Sequence, residues 1–261
     1  MNTPFFWVQL IFARSAQFLG NFLKIFFIAH HKLFPNQRFK IPAKSGPWFS
    51  SKKPKNIPRI FWQTNYTNQV TLPVYVNYLW NRLLTPTFEH RYALDPDCET
   101  FIRNNFSEEI FNAYKKLNIG AAKADFWRCL VLLKHGGIYL DMDAGFCWPP
   151  EWFLKNQQKE FFIRNKEGFI TNYLIAATPL HNAIATISEQ IQQNIDQGLL
   201  KSIYDMTGPT VFHNLLTNRE DLSINYSKGY VKQGLFTRKE FQYPNNLNGY
   251  WVTEEERSNP K

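Results

Sequence analysis

Residues 121–143, AAKADFWRCLVLLKHGGIYLDMD, constrain the fold more than any other stretch of the chain. From Ala121 to His135 the pattern is that of a long, largely apolar helix, and Gly136-Gly137 supplies its C-terminal stop. A short buried strand, Ile138-Tyr139-Leu140, follows at once and runs into Asp141-Met142-Asp143. Residues i and i+2 of a strand point the same way, so at the strand's end both carboxylates can address one hard cation. Ligation by oxygen alone suits Mg²⁺ or Mn²⁺, ions that commonly share a site with substrate phosphates. Two acids in a solvated turn would look the same in isolation.

The preceding helix adds weight. Asp125 and Arg128 are three apart and share a helix face. Their neighbours are Ala122, Ala124, Phe126, Trp127, Leu130 and Val131, so the helix is expected to be largely buried. A charged pair there reads either as a structural ion pair or as a polar clamp at the mouth of a site.

Other strand signals are IPRIFWQT from Ile57, FEHRYAL, EFFIR and ITNYLIAA. Helical stretches are expected over about 72–84, from Asp95 as an N-cap, over about 180–195 and in TGPTVFHNLL. The tail YVKQGLFTRKEFQYP reads as a strand or hairpin. Alternating strands and helices imply a mainly parallel α/β sheet with its ligand at the carboxyl ends of the strands.

The N-terminal arm is different in kind. On a helical wheel of FFWVQLIFARSAQFLGNFLKIFFIAH, the residues Gln9, Arg14, Gln17, Gly20, Asn21 and Lys24 share an arc of about 140°, and the rest is nearly all apolar. Arg14 and Lys24 keep every apolar run short of the roughly 18–20 residues that spanning requires. An interfacial helix lying in the headgroup plane avoids burying those cations in hydrocarbon. The arm also lacks a small-residue cleavage site. Residues 1–34 are therefore expected to be a membrane-associating helix, 35–56 a basic linker and 57–261 a single folded domain.

With 44% hydrophobic and 20% charged residues, 261 residues can bury a sizeable core. The net charge of +9 suggests an anionic partner, and its distribution suggests which. Eleven Lys and Arg precede the first acid, Glu89, and the remainder is near neutral. That charge belongs to the Phe-rich arm and not to the folded domain, which disfavours nucleic acid and fits an anionic membrane surface. Three cysteines with no CxxC spacing argue against structural zinc and against a disulfide scaffold.

The Ala/Asp/Arg helix, the Gly-Gly stop, the Tyr before the DxD and the DxD itself occur in an order that resembles the DXD-containing sugar transferases, among them fungal Golgi initiating mannosyltransferases and bacterial capsule and lipooligosaccharide transferases. IPRIFWQT resembles that family's opening strand, and ITNYLIAATPLHN and TGP its later segments, so the resemblance covers about residues 57–216. It implies a GT-A (Rossmann-like) fold, a nucleotide-sugar donor, a saccharide or glycolipid acceptor, Mn²⁺ or Mg²⁺ and mostly retaining transfer of a hexose-type sugar. By the same resemblance, Asp143 would bind the metal directly, and Asp141 would hold it through water and reach the ribose. Asp125 and Arg128 would grip the transferred sugar and the diphosphate, and Tyr139 would lie against the nucleotide. Trp62 or Gln63 would contact the base, and Asn172 would stand near the sugar. Trp62 stands where the family usually has His, and Asn65 where it has Trp. The usual C-terminal His is absent, and Trp251 is the candidate for the Trp position near it.

The expected setting is the cytoplasmic face of a bacterial inner membrane, in surface polysaccharide or lipooligosaccharide synthesis, with a type II Golgi enzyme as the alternative. Two further readings are a DxD phosphohydrolase and a non-catalytic sugar-binding protein. The first lacks its downstream acidic pair, and the intact Asp125, Arg128, Asp141 and Asp143 disfavour the second.

Overall fold

The computed structural model describes residues 4–51, 55–198 and 202–242. The chain opens with the 30-residue helix α1 (Pro4–Leu33), followed by the short strands β1 (Phe39–Lys40) and β2 (Lys44–Ser45). Next come β3 (Ile60–Thr64), β4 (Gln69–Val70), α2 (Leu72–Leu84), β5 (Glu89–Ala93), α3 (Asp95–Asn105), α4 (Glu108–Lys116), α5 (Gly120–His135) and β6 (Gly137–Leu140). The second half holds β7 (Ala144–Phe146), α6 (Pro150–Phe153), β8 (Glu160–Arg164), β9 (Ile170–Ala177), α7 (Asn182–Gln197), α8 (Ile203–Met206), α9 (Pro209–Leu216), β10 (Ile224–Tyr226), β11 (Val231–Gln233) and α10 (Lys239–Gln242).

Seven strands form the central sheet in the order β10-β8-β9-β6-β3-β5-β2. The pairs β10–β8, β6–β3 and β3–β5 are parallel, whereas β8–β9, β9–β6 and β5–β2 are antiparallel. The mainly parallel sheet expected from the alternation is therefore parallel in only half of its pairings. β8 and β9 are joined by a short turn around Gly168, and so short a connection allows only an antiparallel hairpin. Part of the stretch expected as a basic linker packs on the body. β2 pairs with β5 at the sheet edge, β1 pairs with β4, and Ile41 is fully buried. An exposed edge of unpaired backbone groups invites such a strand.

Alternate residues of the central strands feed two core layers. Trp62, Tyr139, Phe162 and Ile175 join the core beneath α5, α7 and α9. Phe61, Ile138, Leu140, Phe161 and Leu174 face the opposite layer, which includes Phe146 and Val231. The chain runs from β3 to β5 on one side and then to β6 on the other, so the strand order reverses at β3. Open α/β sheets bind ligands in the crevice at such a reversal, beyond the carboxyl ends of the strands. The Asp141–Asp143 turn leaves β6 at that point.

The two glycines before β6 do more than stop a helix. Gly136, the C-cap of α5, has φ 64° and ψ −164°. Gly137 has φ 105°, and a Cβ there would lie 2.5 Å from the Ile60 carbonyl oxygen of the neighbouring strand. Gly137→Ala is expected to combine backbone strain with a clash against β3, costing about 2–4 kcal/mol. Gly168→Ala, also at positive φ but with open space around it, carries only the strain. Urea midpoints at unchanged m-value measure the difference; equal shifts would show that contact with Ile60 is unimportant.

Candidate active site

The two acids do not sit on an extended strand. The Asp141 amide donates to the Tyr173 carbonyl at 2.9 Å, and the Ala144 amide returns to the Asp141 carbonyl at 3.0 Å. Residues 141–144 thus form a tight turn with Asp141 first and Asp143 third. The two acids are therefore placed by a turn and not by the alternation of an extended strand.

Beneath the turn lies a buried polar network. Arg128, on α5, is 4% exposed, and its Nη2 lies 2.9 Å from Asp125 Oδ1 and 3.2 Å from Asp141 Oδ1. Its Nη1 donates to the Asn172 carbonyl at 2.8 Å, and its Nε donates to the Ala124 carbonyl at 3.3 Å. The guanidinium also lies over the Tyr139 ring, 4.4 Å from the centroid, and the Tyr139 hydroxyl donates to Asp141 Oδ1 at 2.8 Å. Asp125 accepts the Asn172 side-chain amide at 2.8 Å and the Thr207 hydroxyl at 3.2 Å. Burial lifts the Asp125 carboxyl to about 6 against the pull of Arg128. Burial also raises Asp141, opposed by Arg128 and by the Tyr139 hydrogen bond.

Asp143 faces the other way, toward the C-terminal segment. The nearby side chains of Gln242 and Gln233 favour its charged form, yet burial and the charge of Asp141 still lift it to about 7. Its carbonyl accepts the Gly234 amide at 2.8 Å and the Thr237 hydroxyl at 3.4 Å. Two mutually repelling carboxylates, each destabilised as an anion by burial, have the chemistry of a cation site. Among the described residues no third His, Cys, Asp or Glu completes an all-protein cluster. That donor set fits a hard divalent ion that keeps water and phosphate oxygens in the rest of its shell.

The residues expected from the sequence divide in two. Asp141, Asp125, Arg128, Tyr139 and Asn172 form one connected network, with Asp143 two residues away on the same turn. Trp62 is not part of it. The Trp62 ring is 5% exposed, its Nε1 donates to the Gly136 carbonyl at 2.9 Å, and it stacks on His135. It braces the Gly-Gly passage and has no face free for a base. Tyr139 is 1% exposed, so its ring supports Arg128 and is not open to a nucleotide. Gln63 remains a candidate: it is buried near the end of β3, and its Nε2 has no hydrogen-bond partner. Trp251 lies outside the described residues.

Four further residues were not legible in the sequence. Asn77 and Asn81, one turn apart on α2, are fully buried. The Asn77 amide donates to the carbonyls of Met142 at 2.9 Å and Ala144 at 3.0 Å. Asn81 donates to the Ala144 carbonyl and accepts the Phe146 amide, both at 3.0 Å. Two buried amides at i, i+4 in an otherwise amphipathic helix were the available signal, but their target could not be read. Gln233 and Gln242 lie in a tail with no distinctive pattern.

Comparisons with known proteins match this geometry. Residues 50–167 fit a family described as "Glycosyltransferase sugar-binding region containing DXD motif". The chain is 24% identical to an initiation-specific alpha-1,6-mannosyltransferase of Candida albicans, over 82% of this chain and 61% of that protein. It is 28% identical to an uncharacterized glycosyltransferase of Acanthamoeba polyphaga mimivirus, over 60% of this chain and 64% of that protein. The chain thus spans about three fifths of the length of these curated relatives. Among solved structures, the PaToxG glycosyltransferase superposes with a TM-score of 0.52 at 16% identity, covering 82% of this chain and 79% of that one, and shows the shared GT-A fold. With a DXD turn at the switch point of that fold, residues 50–167 are similar to the sugar-binding region of the DXD-containing glycosyltransferases.

Proposed function

We propose that this chain transfers a hexose-type sugar from a nucleotide-sugar donor to a saccharide acceptor carried on a glycolipid. The observation that carries the reading is the pair of carboxylates at the strand-order reversal, locked from below by a buried Arg128. Asp143 and Asp141 would hold Mn²⁺ or Mg²⁺, which when bound neutralises charge on the leaving nucleoside diphosphate. Asp141 is held in one orientation by Tyr139 and Arg128 and so presents its remaining lone pairs without rotamer searching. Arg128 has spent most of its donors on protein, so its part is to fix Asp141 and Asp125 and to add fixed positive charge beneath the site. Asp125, held by Asn172 and Thr207, would turn its remaining acceptor capacity to a hydroxyl of the transferred sugar. No conspicuous second carboxylate presents itself as a nucleophile, which favours same-face attack by the acceptor hydroxyl and retention of configuration.

The arm supports a membrane setting. α1 meets the length and apolarity of a spanning helix. Yet its inner stripe of Gln9, Ala13, Ala16, Gly20, Lys24 and Phe27 is packed on the body. Half of the expected water-facing arc is thus protein-facing, and Arg14 and Asn21 remain exposed at its flank. The outer face carries Trp7, Ile11, Phe18, Phe22 and Ile25, each more than half exposed. A helix docked on its own domain along one side and apolar on the other suits insertion in the plane of one leaflet. The fungal relatives favour a Golgi-type setting over the bacterial inner membrane.

Three outcomes test this reading. Asp143→Asn should abolish transfer at unchanged melting temperature, whereas Asp141→Asn should reduce transfer severely and also lower the melting temperature, because it removes a counter-charge from the buried Arg128. EDTA should mimic them, and Mn²⁺ should rescue only the wild type; full activity in EDTA would remove the metal. Arg128→Lys should lose activity nearly as completely as Arg128→Ala, because an ammonium with three donors cannot reproduce the planar fork that meets four acceptors. Both should also destabilise by about 3–5 kcal/mol, the cost of breaking a buried ion pair. Phe18→Glu with Phe22→Glu should abolish co-sedimentation with anionic vesicles and leave transfer to a short soluble acceptor intact. Vesicle binding that survives both substitutions would exclude this face as the membrane contact.

A further inference from the structure

The inner face of α1 carries a cation where none is expected. Lys24 is 8% exposed, and among the described residues no carboxylate lies within ion-pair distance. Burying an ammonium without a counter-charge is costly unless its hydrogen bonds are met. Lys24 Nζ meets the Gly234 carbonyl at 2.6 Å and the Asn21 side-chain oxygen at 3.3 Å. Burial, with Arg238 and Lys232 nearby, lowers its affinity for the proton, so the site is electrostatically unfavourable for a cation that serves packing alone.

The Gly234 carbonyl belongs to the segment that clamps Asp143. The amide of the same residue donates to the Asp143 carbonyl at 2.8 Å. β11, which ends at Gln233, pairs with β7 immediately after the DXD turn, in register Gln233↔Ala144. The Gln233 and Gln242 side chains stand close enough to the Asp143 carboxylate to favour its charged form. α1 presses on this segment along two of its turns. A Cβ on Gly20 would lie 2.3 Å from the Leu235 carbonyl oxygen, so only glycine lets the helix come this close. Phe27 is 2% exposed and packs in one cluster with Leu235, Phe236 and Phe241. One residue, Gly234, thus separates the Lys24 ammonium from the backbone of the second acid of the DXD.

We propose that Lys24 is a positioning residue for Asp143: it fixes the Gly234 peptide, and through it the clamp over residues 233–242 that aims the Asp143 carboxylate. The helix with the apolar outer face is therefore a wall of the site and not a detachable tether. This inference rests on the reading of Asp143 as a metal ligand.

The test uses the full-length chain in detergent and reads metal binding directly. Mn²⁺ is titrated, and free Mn²⁺ is followed by its electron paramagnetic resonance signal. Lys24→Met keeps the length of the chain and removes the donor, and it should weaken Mn²⁺ binding by at least about fivefold, the lower range of a coupling between sites. Lys24→Arg restores a donor and should bring the affinity back toward wild type. Gln9→Leu removes a hydrogen bond from the same helix face to Gly229, outside the clamp, and should leave Mn²⁺ affinity unchanged. Wild-type affinity in Lys24→Met, or an equal loss in Gln9→Leu, would overturn the proposal. If the wild type and Asp143→Asn bind Mn²⁺ alike, the reading of Asp143 as a ligand fails instead, and the two failures are distinguishable.

Discussion

A guanidinium stripped of water must be met by charge and by hydrogen-bond acceptors, and much of this structure follows from meeting that demand at Arg128. Asp125 comes from the same helix, Asp141 from the end of β6, and the Asn172 carbonyl from β9. The ring of Tyr139 closes the remaining face. These groups come from three separate elements, so satisfying Arg128 requires α5, β6 and β9 to be packed in one arrangement. Leaving such a charge unmatched would cost several kcal/mol, which makes the network an all-or-none feature of the fold. The placing of the DXD turn is then a by-product of that packing: Asp141 has one carboxylate oxygen committed to Arg128 and Tyr139.

The rest of the site is held by neutral amides. Asn77 and Asn81 tie the DXD turn to α2, and Gln233 and Gln242 cover Asp143 from the C-terminal side. Amides suit this work because they satisfy buried backbone groups without adding charge beside a cation site. The division is physical: charge fixes Asp141, while dipoles fix the backbone around Asp143.

α1 joins the two halves of the molecule's chemistry. Its small residues Ala13, Ala16 and Gly20 permit close approach to the body, and its large ones are left outside. An amphipathic helix ordinarily hides its apolar face in the protein and shows its polar face to water. Here the small and polar stripe is inside and the Phe-rich stripe outside, the reverse of that arrangement.

The sequence by itself determined the unit running from α5 through the Gly-Gly stop and β6 to the DXD turn, because helix periodicity, glycine stops and strand-end acids are local signals. It determined the boundaries of α2, the strands β3, β5, β8 and β9, and the pairing of Asp125 with Arg128, again from spacing alone. It also determined that α1 would be amphipathic, though not which face the protein would claim. Only the tertiary structure decided that Trp62 braces Gly136, that Tyr139 is sealed under Arg128, and that Lys44 and Ser45 complete a sheet edge. Only it joined Asn81 to the DXD turn and Lys24 to the Asp143 clamp. Those contacts link residues more than 60 and more than 200 positions apart. Periodicity reports which face of an element is apolar, but which distant backbone a polar side chain will meet is set by the packing of whole elements, and that information is carried by no local stretch of the chain.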